Sequence, residues 1–287
     1  MRACVTCAAL VLSVAGTSVA SAASSSGVDK KAAALVPAAI AKKGTVTVAA
    51  DATYAPNEFI GSNGHTVIGM DADLANAIFP LLGLKAKLVN ATFSTIIPGL
   101  TAGKFDIGMS SFTDTKAREE QVNFVDYFEA GTSFFEKAQG GPKVTNLASI
   151  CGLKVSVESG TTEQSDATGQ AAKCKAAKKK PDSVLPFPTQ AEANLALSSG
   201  RAQVGMADSP VAAYQVKQSN GEFKLVGQSY GVAPYGIAVP KQDGTLDKAI
   251  LVALKDLIAN GKYASILKKW GVQAGADTRP VLNGATS

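Results

Sequence analysis

Residues 105–118 read FDIGMSSFTDTKAR, and the rest of the chain is organised around them. Phe105, Ile107 and Met109 alternate as a short buried strand would, and Ser110, Ser111, Thr113 and Thr115 follow in a hydroxyl-rich loop. Thr115 is a good N-cap, so a helix is expected from there through KAREEQV. Arg118 falls in its first turn, where the macrodipole disfavours a cation, whereas Glu119 and Glu120 obey that rule. A neighbouring carboxylate would account for Arg118 taken alone. Its company gives a second account: hydroxyls and free backbone N–H groups at a strand's carboxyl end, facing a guanidinium fork, are how a small carboxylate is held.

Strands and helices alternate on both sides of this stretch. Upstream, Thr45–Ala49 reads as a strand leading into DATYAPNEF (51–59), and SNGHT (62–66) as a hairpin turn with His65 at its solvated edge. Met70, Leu74, Ala77, Ile78 and Leu81 recur at helical spacing, with Asp71 as cap and Gly83 as terminator. Asp71 and Asp73 stand two apart and do not face one another, so capping and solvation are expected of them. A strand at Lys85–Val89, then Phe93 and a helix through IIPGLTAG, complete the first block. The aromatic, extended run 122–143 resembles a connection to a second block.

That block opens with a strand at Lys154–Val157 ending in ESGTTEQS, where Gly160, Thr161 and Thr162 bring amides and hydroxyls to a helix N-terminus. The tract AAKCKAAKKKPD reads as a solvated helix face. A strand at Val184–Phe187, a helix over TQAEANLALSSG and a strand at Gln203–Met206 lead to Asp208. The extended run APYGIAVPK precedes a long amphipathic helix and a shorter one, with Trp270 as a core residue. This pattern predicts α/β architecture with largely parallel sheets, whose ligands sit beyond the carboxyl ends of the strands. Asp51, Ser111, Thr161 and Asp208 fall at such ends. A ligand carrying both a carboxylate and an ammonium would engage Arg118 and Asp208 together.

Composition bounds the alternatives. The 287 residues, 46% hydrophobic and 18% charged, fit one large or two modest globular domains. The net charge of +5 is scattered or gathered in one Lys cluster, which gives no nucleic-acid surface. One His leaves no metal site in view, and no cofactor is expected. Arg2, the apolar run Cys4–Gly16 and Ala20-Ser21-Ala22 read as an export signal over residues 1–22. The run is short of the roughly 20 residues a membrane span needs, and neither Cys4 nor Cys7 stands at a lipidation site. Cys151 and Cys174 remain, an even pair that in an exported chain predicts one disulfide, against the alternative of two separate thiols. Residues 23–33 read as a flexible leader, and 35–43 as a short helix ended by Gly44.

From Ala38 to Val272 the chain resembles the family 3 extracellular solute-binding proteins, the polar amino-acid binding components of ABC importers. The similarity is carried by GMDADLA (69–75) after a YAPNEF-type turn, by 93–128, and by GLKVSVESGTTE, GRAQVGMADSPVAAY and YGIAVPK…KYASILKKWGV. The resemblance implies a two-lobed fold of the periplasmic-binding-protein type II class. Each lobe is a mostly parallel sheet flanked by helices, and the ligand lies in the cleft between them. Lobe 1 would comprise 44–136 and 235–275, lobe 2 137–234, with a tail at 276–287. It further implies that Arg118 holds the ligand α-carboxylate, helped by Ser111, Thr113 and Thr162, and that Asp208 takes the α-ammonium. Tyr54 and Phe93 would wall the ligand side chain, and Asp51 would read it, favouring a basic or amide side chain. Asn57 departs from the pattern: many relatives carry an aromatic residue there, and if that residue lines the pocket, Asn57 would make the cleft more polar. The implied partners are a free amino acid, a permease and its ATPase, met by a monomer at the periplasm or the outer face of the cytoplasmic membrane. Two other classes remain: a secreted cyclohexadienyl-type dehydratase, for which only Glu58 and Glu163 offer an acid, and a receptor domain, which needs a downstream membrane span.

Overall fold

The structure, a computed structural model, describes residues 27–286, so the export-signal reading and Cys4 and Cys7 lie outside the described residues. Two short helices come first, α1 (Lys30–Ala33) and α2 (Ala38–Lys43), the second stopped by Gly44 in the left-handed conformation. The leader is therefore folded from Asp29 onward. Asp29 caps α1, its N–H donates to Leu81 O, and Ala32 is buried in the main apolar core. A small buried side chain at Ala32 was an insufficient signal in a stretch of polar and alanine residues.

The strands β1 (Thr45–Ala50), β2 (Thr53–Tyr54), β3 (Glu58–Ile60) and β4 (Val67–Ile68) follow, the last two joined by the turn at 61–66 with His65 exposed. Helix α3 (Met70–Leu81) starts at Gly69, whose φ of +130° suits glycine alone and where a Cβ would run into the Asn57 carbonyl. Asp71 is therefore inside the first turn and not the cap. Next come β5 (Lys85–Asn90), α4 (Ile96–Thr101), β6 (Ile107–Gly108) and α5 (Lys116–Glu119). Thr115 caps α5 as expected, accepting from Arg118 N at 3.3 Å, but the helix ends at Glu119 because β7 (Val122–Lys137) claims the residues beyond Gln121.

The remaining elements are β8 (Lys154–Glu158), α6 (Thr162–Ala176), β9 (Ser183–Phe187), α7 (Gln190–Ser198), β10 (Val204–Asp208), α8 (Ser209–Gln218), β11 (Phe223–Pro240), α9 (Leu246–Ala259) and α10 (Lys262–Trp270). Cys151 and Cys174 form the disulfide, with Cα atoms 5.8 Å apart, tying the approach to β8 to α6. A loop of this size is worth roughly 3 kcal/mol in the chain-entropy picture.

Eight strands form one sheet in the order β5-β1-β6-β11-β7-β10-β8-β9. It has two wings. In the first, β5, β1 and β6 run parallel; in the second, β10, β8 and β9 do. Between them β7 and β11 pair antiparallel along almost their full length, from Phe223↔Lys137 to Pro240↔Val122. The register slips between Val226 and Ala233, opposite Gly131, where a Cβ would stand 2.6 Å from Tyr230 O. Residues 122–130 of β7 thus serve the first wing, and Thr132–Phe135 pair with β10 in the second.

The largest core packs α3, α9 and α10 on the first wing. Leu246, Ala249, Ile250, Ala253, Leu254 and Leu257 of α9 are buried at three- and four-residue spacing, and each fully buried Leu or Ile contributes about 1.5–3 kcal/mol. Trp270 packs against the same core, its indole N–H donating to Asp73 at 2.8 Å. A second apolar cluster runs from Phe93, Ile96 and Phe112 of the first wing to Leu197, Ala207 and Val211 of the second, so the wings are in contact.

Candidate functional site

Between the wings lies a small cavity. Tyr54, Phe93, Ser111, Thr113 and Arg118 face it from the first side, and Thr161, Thr162 and Asp208 from the second. Every one of these stands at, or just beyond, the carboxyl end of a strand or at the start of a helix. Eight of the nine ligand residues expected from the sequence are therefore brought together. The ninth, Asp51, is buried behind the wall: its Oδ1 accepts from Thr53 Oγ1 at 2.7 Å and its Oδ2 from Phe93 N at 3.0 Å.

Arg118 spans the cleft. Its Nη1 donates to Thr113 O at 2.7 Å and its Nη2 to Gly160 O at 3.0 Å, on the opposite wing. The guanidinium lies 5.3 Å from the Phe93 ring centre and 5.6 Å from that of Phe112, two rings stacked 4.5 Å apart. Burial lowers its pKa, and Glu163 and Asp208 push it back up. Asp208 responds in the opposite sense. Burial and the neighbouring Glu163 raise it well above the usual carboxylate range, against Tyr235 and Arg118, which favour its charge. A cation and an acid thus face one cavity from opposite sides, each held at a cost in solvation that a ligand of opposite charge would offset.

Glu163 is a wall residue that the sequence reading placed among ordinary helix-start residues. It is buried, accepting from Thr132 Oγ1 at 2.7 Å and Thr162 Oγ1 at 3.2 Å. Thr161 caps α6, accepting from Gln164 N at 3.2 Å and donating to Glu158 O at 2.8 Å. The first-turn N–H groups at Thr162 and Glu163 have no intrahelical acceptor.

Ser111 is held rather than offered. Its N–H goes to Asp71 Oδ2 at 3.1 Å, and its hydroxyl donates to Glu58 Oε2 at 3.1 Å while accepting from Asn57 Nδ2 at 3.0 Å. It has no hydrogen left for a ligand carboxylate. Asn57 is fully buried beneath this loop, so it supports Ser111 and does not make the cavity more polar. Glu58, expected to be an ordinary turn residue, and Asp71, expected to be a solvated cap, are instead a buried pair. Burial raises Glu58 well above the usual range and Asp71 to about 6. The alternation of small and polar residues in DADLA concealed this, because its pattern is equally that of a solvated turn. Among the described residues no group of three or more His, Cys, Asp or Glu side chains is placed to hold a metal ion.

Residues 46–273 match the family described as bacterial extracellular solute-binding proteins, family 3. The chain belongs to that family. It is 36% identical over 253 residues to the arginine-binding protein ArgT of Corynebacterium glutamicum, covering 87% of this chain and 82% of that one. With the glutamine-binding protein GlnH of Bacillus subtilis it shares 34% over 207 residues, 70% of this chain and 72% of the relative. Among solved structures, an ancestral arginine-binding protein bound to arginine superposes with a TM-score of 0.73 at 36% identity, over 79% of this chain and 98% of that one. The fold is that of the α/β periplasmic binding proteins, as the family motifs implied. Among the described residues no helix is long and apolar enough to cross a membrane.

Proposed function

We propose that the protein is the extracytoplasmic binding component of an ABC importer, taking a free polar amino acid with a basic or amide side chain and presenting it to a membrane permease and its ATPase. The observation that carries this reading is the approach of Arg118 and Asp208 to one cavity from opposite wings of the sheet. Arg118 meets the α-carboxylate with its fork, Asp208 and Glu163 surround the α-ammonium, and Tyr54 and Phe93 wall the side chain. Family membership and relatives named for arginine and glutamine support the ligand class. It is a binding protein and not an enzyme. Export with loss of residues 1–22, and action as a monomer, complete the reading.

The two wings are proposed as the two lobes of a hinged clamp. The exchange of strand partners at Gly131 and at 226–233 supports a boundary near the expected limits after 136 and 234. Because the ligand's two charged ends are held by different lobes, its binding energy becomes closure energy.

Calorimetry on paired analogues tests the assignment. Arg118→Lys keeps the cation but loses the fork, and Asp208→Asn keeps the shape but loses the charge. Each is expected to weaken binding at least about tenfold, since truncating one side of a buried charge pair costs about 2–5 kcal/mol. Arg118→Lys should erode the preference for a free carboxylate over its amide, and Asp208→Asn that for a free ammonium over its N-acetyl form. Two variants that bind like wild type would remove both residues from the site. With prephenate or arogenate no turnover is expected.

A further inference from the structure

The sheet leaves one edge uncovered in the first wing, and the chain beyond α10 fills it. Strand β7 pairs with β11 along 122–130, but β10 reaches its other side only at Thr132–Phe135. Phe124, Asp126 and Phe128 would thus be left with unpaired backbone groups on that side. Residues 276–286, beyond the family-matched 46–273, run antiparallel to β7 there. Ala276 bridges to Phe128 and Leu282 to Val125. Asp126 N donates to Val281 O at 3.0 Å and Asn283 N to Phe124 O at 3.1 Å, while the Asn283 side chain accepts from Phe124 N at 2.7 Å.

This segment reaches the helix that carries Arg118. Gly284 N donates to Asp126 Oδ2, in an approach so close that a Cβ would strike that oxygen. Ala285, itself buried, donates its N–H to Glu119 Oε1 at 3.2 Å. Helix α5 is a single turn of four residues, too short to hold itself, and Arg118 opposes its dipole. Its approach is pinned to β11 by Asp114 N to Pro234 O and Gly236 N to Phe112 O, both at 2.8 Å. Among the described residues, the turn itself reaches distant segments through two side-chain hydrogen bonds. One, from Arg118 to Gly160, crosses to the second wing. The other, from Ala285 to Glu119, fastens the turn to its own wing.

We propose that residues 276–286 are a strap that positions Arg118 through Glu119, setting affinity for the ligand α-carboxylate from outside the cavity. The inference rests on the amino-acid-binding reading and deepens it. A carboxylate takes two parallel bonds from a guanidinium only when the fork is presented in its plane. An unfastened turn would offer that orientation for only part of the time, and apparent affinity falls by the same fraction. Glu119 is thus a positioning residue: it touches Ala285 and Lys116 and acts on the ligand only through its neighbour Arg118. Asp208 stands on the second wing, where the strap makes none of these bonds. The strap therefore governs one end of the amino acid and leaves the ammonium end alone.

The test is competition calorimetry with arginine, argininamide and N-acetylarginine, or the same three forms of glutamine, on the wild type and on variants shown to fold by thermal melts. Deletion of residues 281–287 should weaken the free amino acid about tenfold and its amide by less than about twofold. The N-acetyl form keeps its carboxylate and should weaken in step with the free amino acid, so discrimination at the ammonium end is unchanged. Glu119→Ala should reproduce this pattern, and Glu119→Gln, which keeps an acceptor oxygen, should bind like wild type. Lys116→Ala removes only the exposed ion pair with Glu119 and should leave affinity unchanged. If the deletion does not fold, the Glu119 variants decide alone. Equal weakening of the free amino acid and its amide overturns the proposal, as does wild-type binding by folded Glu119→Ala. Failure of every free amino acid to bind the wild type would instead overturn the amino-acid reading, and this inference with it.

Discussion

Two pairs of buried acids lie on either side of Ser110, and they are built in opposite ways. The Glu58–Asp71 pair is fully engaged. Ser110 and Ser111 donate to the two oxygens of Glu58, and Tyr127 and the Ser111 N–H donate to Asp71. The Asp51–Glu158 pair is half engaged: Asp51 is bonded to Thr53 and Phe93, while Glu158 has nothing. Both pairs pay the same kind of desolvation penalty, and only one recovers it inside the protein. Burial of a carboxyl therefore separates framework from site less well than the count of donors around it. The engaged pair fixes the loop that carries Arg118; the other lies behind the wall of the cavity.

The largest break in this comparison comes from the engaged pair. Glu58→Ala would leave two buried hydroxyls without an acceptor, each orphan costing about 1–3 kcal/mol. A loss of roughly 3 kcal/mol or more in denaturant stability is expected, with ligand affinity falling only as the loop loosens. A smaller and opposite change is expected of Glu158→Leu. It removes an unpartnered buried carboxyl, so stability should hold within roughly 1 kcal/mol or rise. Equal destabilisation by the two variants would erase the distinction.

The smallest effect concerns a third acid pair, Asp114 and Asp126, which lies under the C-terminal tail. Gly284 N donates to Asp126 Oδ2 at 3.1 Å and Ala285 N to Glu119 Oε1 at 3.2 Å. Burial first raises both acids, Asp114 to about 6 and Asp126 to about 8. The sign follows from linkage: folded-state values above the unfolded ones mean that the native protein holds extra protons. This stabilising contribution is complete below the unfolded carboxylate range and is lost as pH rises through 6 to 8. Melting temperature should thus fall modestly between pH 5 and 9, and Asp126→Asn should flatten that slope. An unchanged slope would show that the pair does not titrate with folding.

The sequence conveyed the site unevenly, for physical reasons. Arg118 stood out because a cation in a helix's first turn breaks a local rule, and Thr161 and Asp208 because each ends a periodic strand. Glu158 opens the ESGTTEQS stretch, yet nothing local distinguishes a buried terminal Glu from a solvated one. Its character depends on Asp51, more than a hundred positions away. The same limit hid the Glu58–Asp71 pair. At the level of the fold, β11 was legible only from Ala233 onward, because its first half is exposed, polar and glycine-punctuated (Gly227, Gly231). Helix α8, five apolar residues among polar ones after Ser209-Pro210, was likewise not separated from the strand before it.

The route of the chain through the sheet has a consequence for assembly in time. Everything from Thr132 to Tyr230 serves the second wing, with its strands and helices near one another in sequence. The first wing receives its remaining strand only at 233–240 and the helices that close its core only at 246–270. Contacts between such distant segments demand closure of a long loop before they return any stabilisation. As the polypeptide emerges during synthesis, the inserted half has all its partners to hand while the flanking half waits. The wing that begins the chain is the last to be completed, and the finished second wing brings the two ends of that loop together.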